Sequence, residues 1–361
     1  MFDKLWHMIS SMGYDPRYRP ALRYAFGATI IMGVAMYYGG DLSYIVPLLA
    51  LSFLGPGTKM PTLKDSVSFI LIVAVSSLFS YFFTAALYQL IWVYIPLLAL
   101  ILFWIYYTDK ISFMVKMFLL ISLLAMPVPI PGIPIKVWAG ILAGTLIFGS
   151  VFTVIMVWFV YALFPDPPHK KSAADQGKPA MQKPSKEIRL QLAMQTFIVT
   201  FPVILLFIFF QGGNALLVLI YIVILSMLPR QMGVKAGLGK VYGNIIGGII
   251  TIIFYEILTI VPNFFFFLVL FLGIALLFAR MVFSDNPKAT LYKTGFSTLV
   301  LIIGSTTTGT DNAANEIYIR VFQVMLTVIY VVGAYALLDA VILRKQFNRK
   351  RIFKRNIIAK V

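Results

Sequence analysis

The chain has little charge and no cysteine. Only 12% of its 361 residues are charged, whereas 60% are apolar. A soluble chain of this length needs more charged residues to cover its surface, so the composition excludes an ordinary soluble domain. The absence of cysteine excludes disulfides, thiol chemistry and cysteine-ligated metals.

Catalytic motifs are also scarce. The two histidines, His7 and His169, both lie outside the apolar runs, so no histidine triad or metal cluster can form in a membrane. The segment GVKAGLGKV resembles a phosphate-binding loop, but its first glycine is one residue too distant and Val241 replaces the required Ser or Thr. We therefore expect no enzymatic activity, no cofactor and no metal.

Long apolar runs separated by short polar joints make up most of the chain. The runs are long enough to cross about 30 Å of hydrocarbon, which predicts an all-α polytopic membrane protein with about twelve spans. The predicted spans of the first half are 21–38, 42–54, 65–88, 90–107, 111–127 and 138–163. Those of the second half are 191–210, 214–229, 236–260, 262–281, 290–308 and 318–343.

Basic residues concentrate at every second joint, which explains the formal net charge of +17. The exceptions are Lys136 and Arg320 at intervening joints and Lys116 inside a predicted span. This alternation follows the positive-inside rule, so we predict that both termini and the central linker are cytoplasmic. The basic character therefore indicates topology and not a nucleic-acid partner.

Two halves of the chain carry the same motifs in the same order. Arg23 opens a span that ends at Gly39-Gly40-Asp41, and Pro56 follows 15 residues after Asp41. Arg189 opens a span that ends at Gly212-Gly213-Asn214, and Pro229 follows 15 residues after Asn214. Six spans per half predict two parallel repeats, with a substrate path between them near the midplane.

The repeat also predicts the domain organisation. A Pro- and Lys-rich segment without apolar periodicity separates the halves, and a basic segment follows the last span. The predicted units are a first membrane half (1–164), a cytoplasmic linker (165–188), a second membrane half (189–343) and a basic tail (344–361). We expect the N-terminal stretch and the tail to rest on anionic membrane lipid, and a signal peptide is not predicted.

Ionisable residues near or within spans are the candidate functional residues, because burying charge in lipid is costly. We predict that the cations Lys116, Arg23 and Arg320 attract an anionic group along the pathway. The alternative for Lys116 is a lysine that reaches back to the inner interface, and an interfacial arginine is equally ordinary. Glu256 is the candidate for proton coupling, with a wetted interfacial carboxylate as its alternative.

Other polar positions have simpler interpretations. Asp41 and Asn214 follow glycine pairs at equivalent outer joints, which favours a turn-forming role. Asp339 is expected to neutralise nearby basic residues. Asp311 and Glu316 lie in a long polar outer loop that could bind a partner. The glycine pairs 140/144 and 243/247 predict close helix packing.

Three segments together suggest a family: LRYAFGATIIMGVAMYYGGDLSYIVPLLALSFLGPG, GKVYGNIIGGIITIIFYEIL and IYIRVFQVMLTVIYVVGAYALLDAVILR. In order and motif, the chain resembles the fusaric acid resistance (FUSC-like) and aromatic acid exporter superfamily. The resemblance implies a bacterial inner-membrane permease that exports aromatic or other organic acids with a periplasmic membrane-fusion adaptor. Unlike many members, this chain has a short linker where they carry a large cytoplasmic domain.

Three functions therefore stay open at the level of sequence. The first is efflux driven by an ion gradient, since no nucleotide site is visible. A passive organic-anion channel would need only the basic residues. An envelope scaffold would use the outer loops 128–137 and 309–317 as its binding surface. A homo-oligomer is compatible with each of them.

Overall fold

A computed structural model of the protein describes residues 18–38, 44–129, 132–165, 185–210, 218–219, 222–223, 233–284, 286, 288–306 and 313–358. These residues form eleven α-helices and no β-strand, which confirms the all-α class. Most of the eighth predicted span and most of the predicted linker lie outside the described residues. Along the chain the helices are α1 Arg19–Tyr38, α2 Ile45–Leu54, α3 Leu63–Leu87, α4 Ile91–Tyr107, α5 Phe113–Ala125, α6 Ile135–Leu163, α7 Lys186–Phe210, α8 Gly233–Ile260, α9 Phe264–Val282, α10 Ala289–Thr306 and α11 Ala313–Ile358.

Within the described residues, six segments are long and apolar enough to cross a membrane: Leu63–Leu87, Ile135–Leu163, Lys186–Phe209, Tyr242–Ile260, Phe264–Val282 and Ile317–Leu338. Helices α2, α4 and α5 are apolar but shorter. With 10 residues, α2 extends only about 15 Å, roughly half of a hydrocarbon core. The length and composition of the helices thus indicate a membrane-embedded protein with at least six helices able to span.

The exterior of the helices is apolar and part of the interior is polar. Trp92 is 89% exposed and Phe148 is 77% exposed, whereas Ser80, Thr84 and Ser122 are fully buried. An apolar exterior of this kind would be an aggregation hazard in water but is compatible with lipid. Small hydroxyl side chains inside can bond to carbonyls of their own helix, as Ser80 does to Ser76 at 2.9 Å.

Local signals explain several helix starts. At α3, the Thr62 hydroxyl accepts from the Asp65 N–H while the Asp65 carboxylate accepts from the Thr62 N–H, a reciprocal capping box. The Ser112 hydroxyl accepts from the Val115 N–H and caps α5. The Asn263 side chain accepts from the Phe265 N–H at 2.8 Å and caps α9.

The packing of helices follows the same pattern in the two halves of the chain. Helix α3 packs against α5 and α6, and in the second half α8 packs against α10 and α11. Helix α1 also contacts α9, and helix α7 contacts α4. Each of these two contacts therefore joins a helix that precedes the predicted linker to a helix that follows it.

The buried apolar side chains form three clusters, each containing residues from both halves. One cluster joins α1, α2 and α6 to α8, α9 and α10. A second joins α2, α3, α5 and α6 to α10 and α11. The third joins α4 and α5 to α7. In the described part of the chain, neither half encloses a core of its own.

Candidate functional site

The joint between α4 and α5 is close to three polar residues, Thr108, Asp109 and Lys116. Helix α4 ends at Tyr107, and Thr108 has an extended backbone with φ −74° and ψ 138°. This extended residue turns the chain away from the helix and places Asp109 beyond the last turn. Helix α5 then begins after Ser112, so Lys116 lies in its first turns.

The Lys116 ammonium turns back toward the end of α4. Its Nζ donates a hydrogen bond to the carbonyl oxygen of Thr108, a residue that is 8% exposed. Lysine at this position satisfies a carbonyl that the end of the helix leaves without an intrahelical donor. Both interpretations of Lys116, a pathway cation and a lysine that reaches back to the inner interface, stay predictions.

Helix α7 brings a second cation to the same joint. Arg189, in the first turn of α7, forms an ion pair with Asp109, with side chains 23% and 34% exposed. The Arg189 Cζ lies 5.7 Å from the centroid of the Tyr107 ring. The carbonyl to which Lys116 donates belongs to Thr108, the chain neighbour of Asp109, so Lys116 lies beside this ion pair. We call Asp109, Lys116 and Arg189 the cationic cluster, because together they carry two positive charges and one negative charge.

Arg23, a predicted pathway residue, is buried in a different environment. It is 2% exposed, and its Cζ lies 3.8 Å from the centroid of the Tyr161 ring of α6. The Tyr161 hydroxyl donates to the Phe53 carbonyl at 3.0 Å, which anchors the ring at the end of α2. Burial against an aromatic face stabilises a cation that lipid alone would not accept.

Arg320 lies near the start of α11, and Glu256 lies near the end of α8. Arg320 is half-buried on α11, near enough to Tyr44 for its charge to act on the phenol. The Glu256 carboxylate on α8 is exposed and accepts a hydrogen bond from the Tyr318 hydroxyl of α11. The two interpretations of Glu256, a coupling carboxylate and an interfacial group, both stay predictions.

The roles of Lys116, Arg23 and Arg320 in a substrate pathway stay predictions. The described contacts of Lys116, Arg23 and Arg320 share no residue. Among the other candidates, Asp41, Asn214 and Asp311 lie outside the described residues, while Glu316 and Asp339 are described only as part of the α11 backbone.

The two glycine pairs differ in their packing. A Cβ on Gly247 would lie 2.3 Å from the Gly295 carbonyl oxygen, and a Cβ on Gly243 would lie 2.7 Å from that of Leu291. Close packing is thus confirmed for the pair on α8. A Cβ on Gly144 meets nothing within 4 Å, so the prediction of close packing is wrong for Gly144 within the described part of the chain. Spacing alone cannot distinguish a glycine that faces a helix from one that faces lipid.

Sequence reasoning missed Asp109 and Tyr107 and treated Arg189 only as a helix start. One pattern in the sequence could have indicated Asp109. Asp109 and Asp285 each follow the fourth predicted span of their half, and each precedes a lysine, Lys116 or Lys293, in the next span. Among 13 acidic residues in the chain, two at corresponding joints form a pattern that a comparison of the halves would detect.

No protein-family model matches the chain, and neither the comparison with curated proteins nor that with solved structures gave a significant match. The resemblance to the FUSC-like superfamily consequently stays a prediction that depends on the motifs quoted above. The arguments that follow depend on the residues of this chain.

Proposed function

We propose that the protein is an efflux permease of the bacterial inner membrane that exports aromatic or other organic acids. The proposal includes about twelve spans arranged as two parallel six-helix repeats, with both termini and the linker in the cytoplasm. An ion gradient drives export, and a separate periplasmic membrane-fusion adaptor carries the product onward.

The recurring packing of the helices supports the repeat. When the eighth predicted span is counted as the second helix of its half, the third helix packs on the fifth and sixth helices in each half, and each first helix packs on the fourth helix of the other half. Such reciprocity is what a twofold axis along the membrane normal produces. The motif order around Arg23 and Arg189 supports the same relationship from the sequence.

The single observation that carries the transport proposal is the cationic cluster at a junction of the two halves. Asp109 and Lys116 come from the first half and Arg189 comes from the second. Two cations against one carboxylate leave an excess positive charge at the joint. A fixed positive charge between two repeats attracts anionic substrates to the place where a path between the halves would open.

The other predicted residues have defined parts in this proposal. Arg23 supplies positive potential at the predicted cytoplasmic end, and Arg320 does so at the outer end. Glu256 is the coupling carboxylate, and its Tyr318 hydrogen bond gives it a partner that a change of protonation would alter. Membrane lipid surrounds the apolar exterior.

The test is export of a panel of labelled aromatic and aliphatic acids from cells that express the wild type, Lys116→Ala or Glu256→Gln together with the candidate adaptor. We expect Lys116→Ala to lower export about tenfold at equal membrane abundance, because it removes a charge that attracts the acid. Glu256→Gln should remove the sensitivity of export to a protonophore. Lys136→Ala is the matched control, since Lys136 is an exposed cation near the predicted outer end.

The outcomes separate the competing functions. Retention of every acid at the level of cells without the protein would overturn the exporter. Flux that is insensitive to a protonophore in the wild type would instead support a passive anion channel. Loss of adaptor capture in loop variants, with no flux in any variant, would support the scaffold.

A further inference from the structure

The α4–α7 interface contains a ladder of aromatic side chains that begins at the cationic cluster. The Tyr107 and Phe103 rings are stacked, with centroids 6.4 Å apart and an interplanar angle of 3°. Phe103 meets Phe197 of α7 edge to face at 6.1 Å. Phe197 stacks on Phe201 at 4.7 Å with an angle of 18°. We call Tyr107, Phe103, Phe197 and Phe201 the aromatic ladder.

Sequence spacing explains why the ladder and the cluster are continuous. Arg189, Phe197 and Phe201 are separated by multiples of four residues, so they share one side of α7. Phe103 and Tyr107 are four residues apart on α4 for the same reason. Each of the four ladder residues is only half-buried, so none of them is fully enclosed by the protein.

The Arg189–Asp109 ion pair has properties that allow another carboxylate to replace Asp109. Both side chains are partly exposed, and ion pairs in that environment contribute little net stability. One Asp109 oxygen contacts one Arg189 nitrogen, although a guanidinium carries five N–H donors. The Arg189 Nε is buried and has no hydrogen-bond partner among the described residues, so a donor next to the pair is unsatisfied.

We propose that the cationic cluster and the aromatic ladder together form a binding site for an aromatic carboxylate, in which Asp109 occupies Arg189 until the ligand displaces it. The ligand carboxylate takes the place of Asp109 on the Arg189 guanidinium, with Lys116 supplying the second positive charge. The ligand ring lies against Tyr107 and Phe103 and extends toward Phe197. This inference rests on the proposed function, of which it specifies the substrate class and the entry site.

The chemistry of the two parts selects the ligand. A planar guanidinium donates two parallel hydrogen bonds to a carboxylate, which a halide cannot accept in the same way. Aromatic faces and edges favour a π-system over a saturated ring of similar size. Asp109 adds selectivity, because a weakly bound anion does not compete with an internal carboxylate.

The experiment measures benzoate binding to the purified full-length protein in nanodiscs by calorimetry, with cyclohexanecarboxylate as the ligand that lacks a π-system. We expect Asp109→Asn to tighten benzoate binding about fivefold, since the internal competitor is removed. Asp65→Asn is the matched control, because it removes one exposed carboxylate from the start of α3 without touching the cluster. If Asp109→Asn weakened benzoate binding or left it unchanged, the competition by Asp109 would be overturned.

Two further variants test the remaining parts of the site. Arg189→Gln should weaken benzoate binding about tenfold or more, because it removes the charge-assisted hydrogen bonds, whereas Lys186→Gln in the same turn should not. Phe197→Leu should lower the preference for benzoate over cyclohexanecarboxylate about threefold, while Phe209→Leu, an exposed residue of the same helix, should leave it unchanged. Equal preference in Phe197→Leu and wild type would overturn the ladder as a ring site.

Failure of this inference can be distinguished from failure of the proposed function. Benzoate binding with the expected Asp109 and Arg189 effects, but no cellular export, would support the site and overturn the permease. Cellular export of benzoate with no effect of Asp109, Arg189 or Phe197 on binding would support the permease and overturn the site.

Discussion

At the scale of single residues, the charged groups of this protein are stabilised by specific neighbours. Arg23 is buried against the Tyr161 ring, Arg189 pairs with Asp109, and Lys116 donates to a helix-terminal carbonyl. Each arrangement reduces the cost of removing a charge from water. The position of a charge in the sequence is therefore less informative than the group that it contacts.

Tyr161 offers a residue-scale prediction, because its ring and its hydroxyl have separate contacts. Tyr161→Phe should cost about 1 kcal/mol, since it keeps the ring and removes the hydroxyl that donates to the Phe53 carbonyl and lies 3.4 Å from the Thr58 hydroxyl. Tyr161→Leu should cost about 2 kcal/mol more, since it also removes the aromatic face beneath a buried arginine. Thermal denaturation of the detergent-solubilised protein, followed by size-exclusion chromatography, measures both. Equal midpoints for the two variants would contradict a stabilising contact between Arg23 and the ring.

At the scale of helices, the backbones of α8 and α10 approach each other closely in the second half of the chain. Helices α8 and α10 meet at Gly243, Gly247 and Gly295, and the Thr298 hydroxyl donates to the Asn244 side chain at 2.6 Å within this contact. Small residues allow the dispersion contacts and interhelical hydrogen bonds that associate helices in lipid. In the first half, α3 and α5 meet through larger side chains, since the Phe69 and Phe118 rings lie edge to face with centroids 5.5 Å apart.

The prediction at this scale concerns the two glycine pairs. Gly247→Ala should destabilise the protein by about 1–3 kcal/mol, because the new Cβ would overlap the Gly295 carbonyl oxygen and force α8 and α10 apart. Gly144→Ala is the matched control, since nothing lies within 4 Å of the added carbon. Thermal midpoints in detergent measure both variants. A Gly144→Ala variant that loses as much stability as Gly247→Ala would contradict the packing described for α8.

At the scale of the whole molecule, the two halves depend on each other. Each buried apolar cluster contains residues of both halves, and the first helix of each half packs on the other half. A half expressed alone would expose its part of all three clusters. The predicted linker then has only to connect the halves, while the packing between them is supplied by the helices.

The corresponding prediction uses two separate polypeptides, 1–164 and 189–361. Expressed together, they should co-purify through a tag on either one, because interleaved helices re-form the three clusters. Expressed alone, each should be degraded or aggregated, as measured by membrane abundance and size-exclusion chromatography in detergent. A first half that accumulates alone as a monodisperse, protease-resistant species would contradict the interdependence of the halves.

The sequence by itself determined the helical class, the apolar exterior and the approximate position of most helices. These features follow from composition and from the length of apolar runs, which depend on neighbouring residues in the chain. The same local signals indicated Arg23, Lys116 and Arg320 as candidate charges, and the spacing of Gly243 and Gly247 indicated a helix contact.

Only the tertiary structure decided which of these residues meet. Asp109 and Arg189 are 80 residues apart along the chain, and no periodicity specifies that the first helix of one half packs against the fourth helix of the other. Gly144 and Gly247 have the same local pattern but different surroundings, because one helix face meets another helix and the other does not. Contacts between distant segments depend on how whole helices pack, and this information is distributed over the chain rather than contained in any one motif.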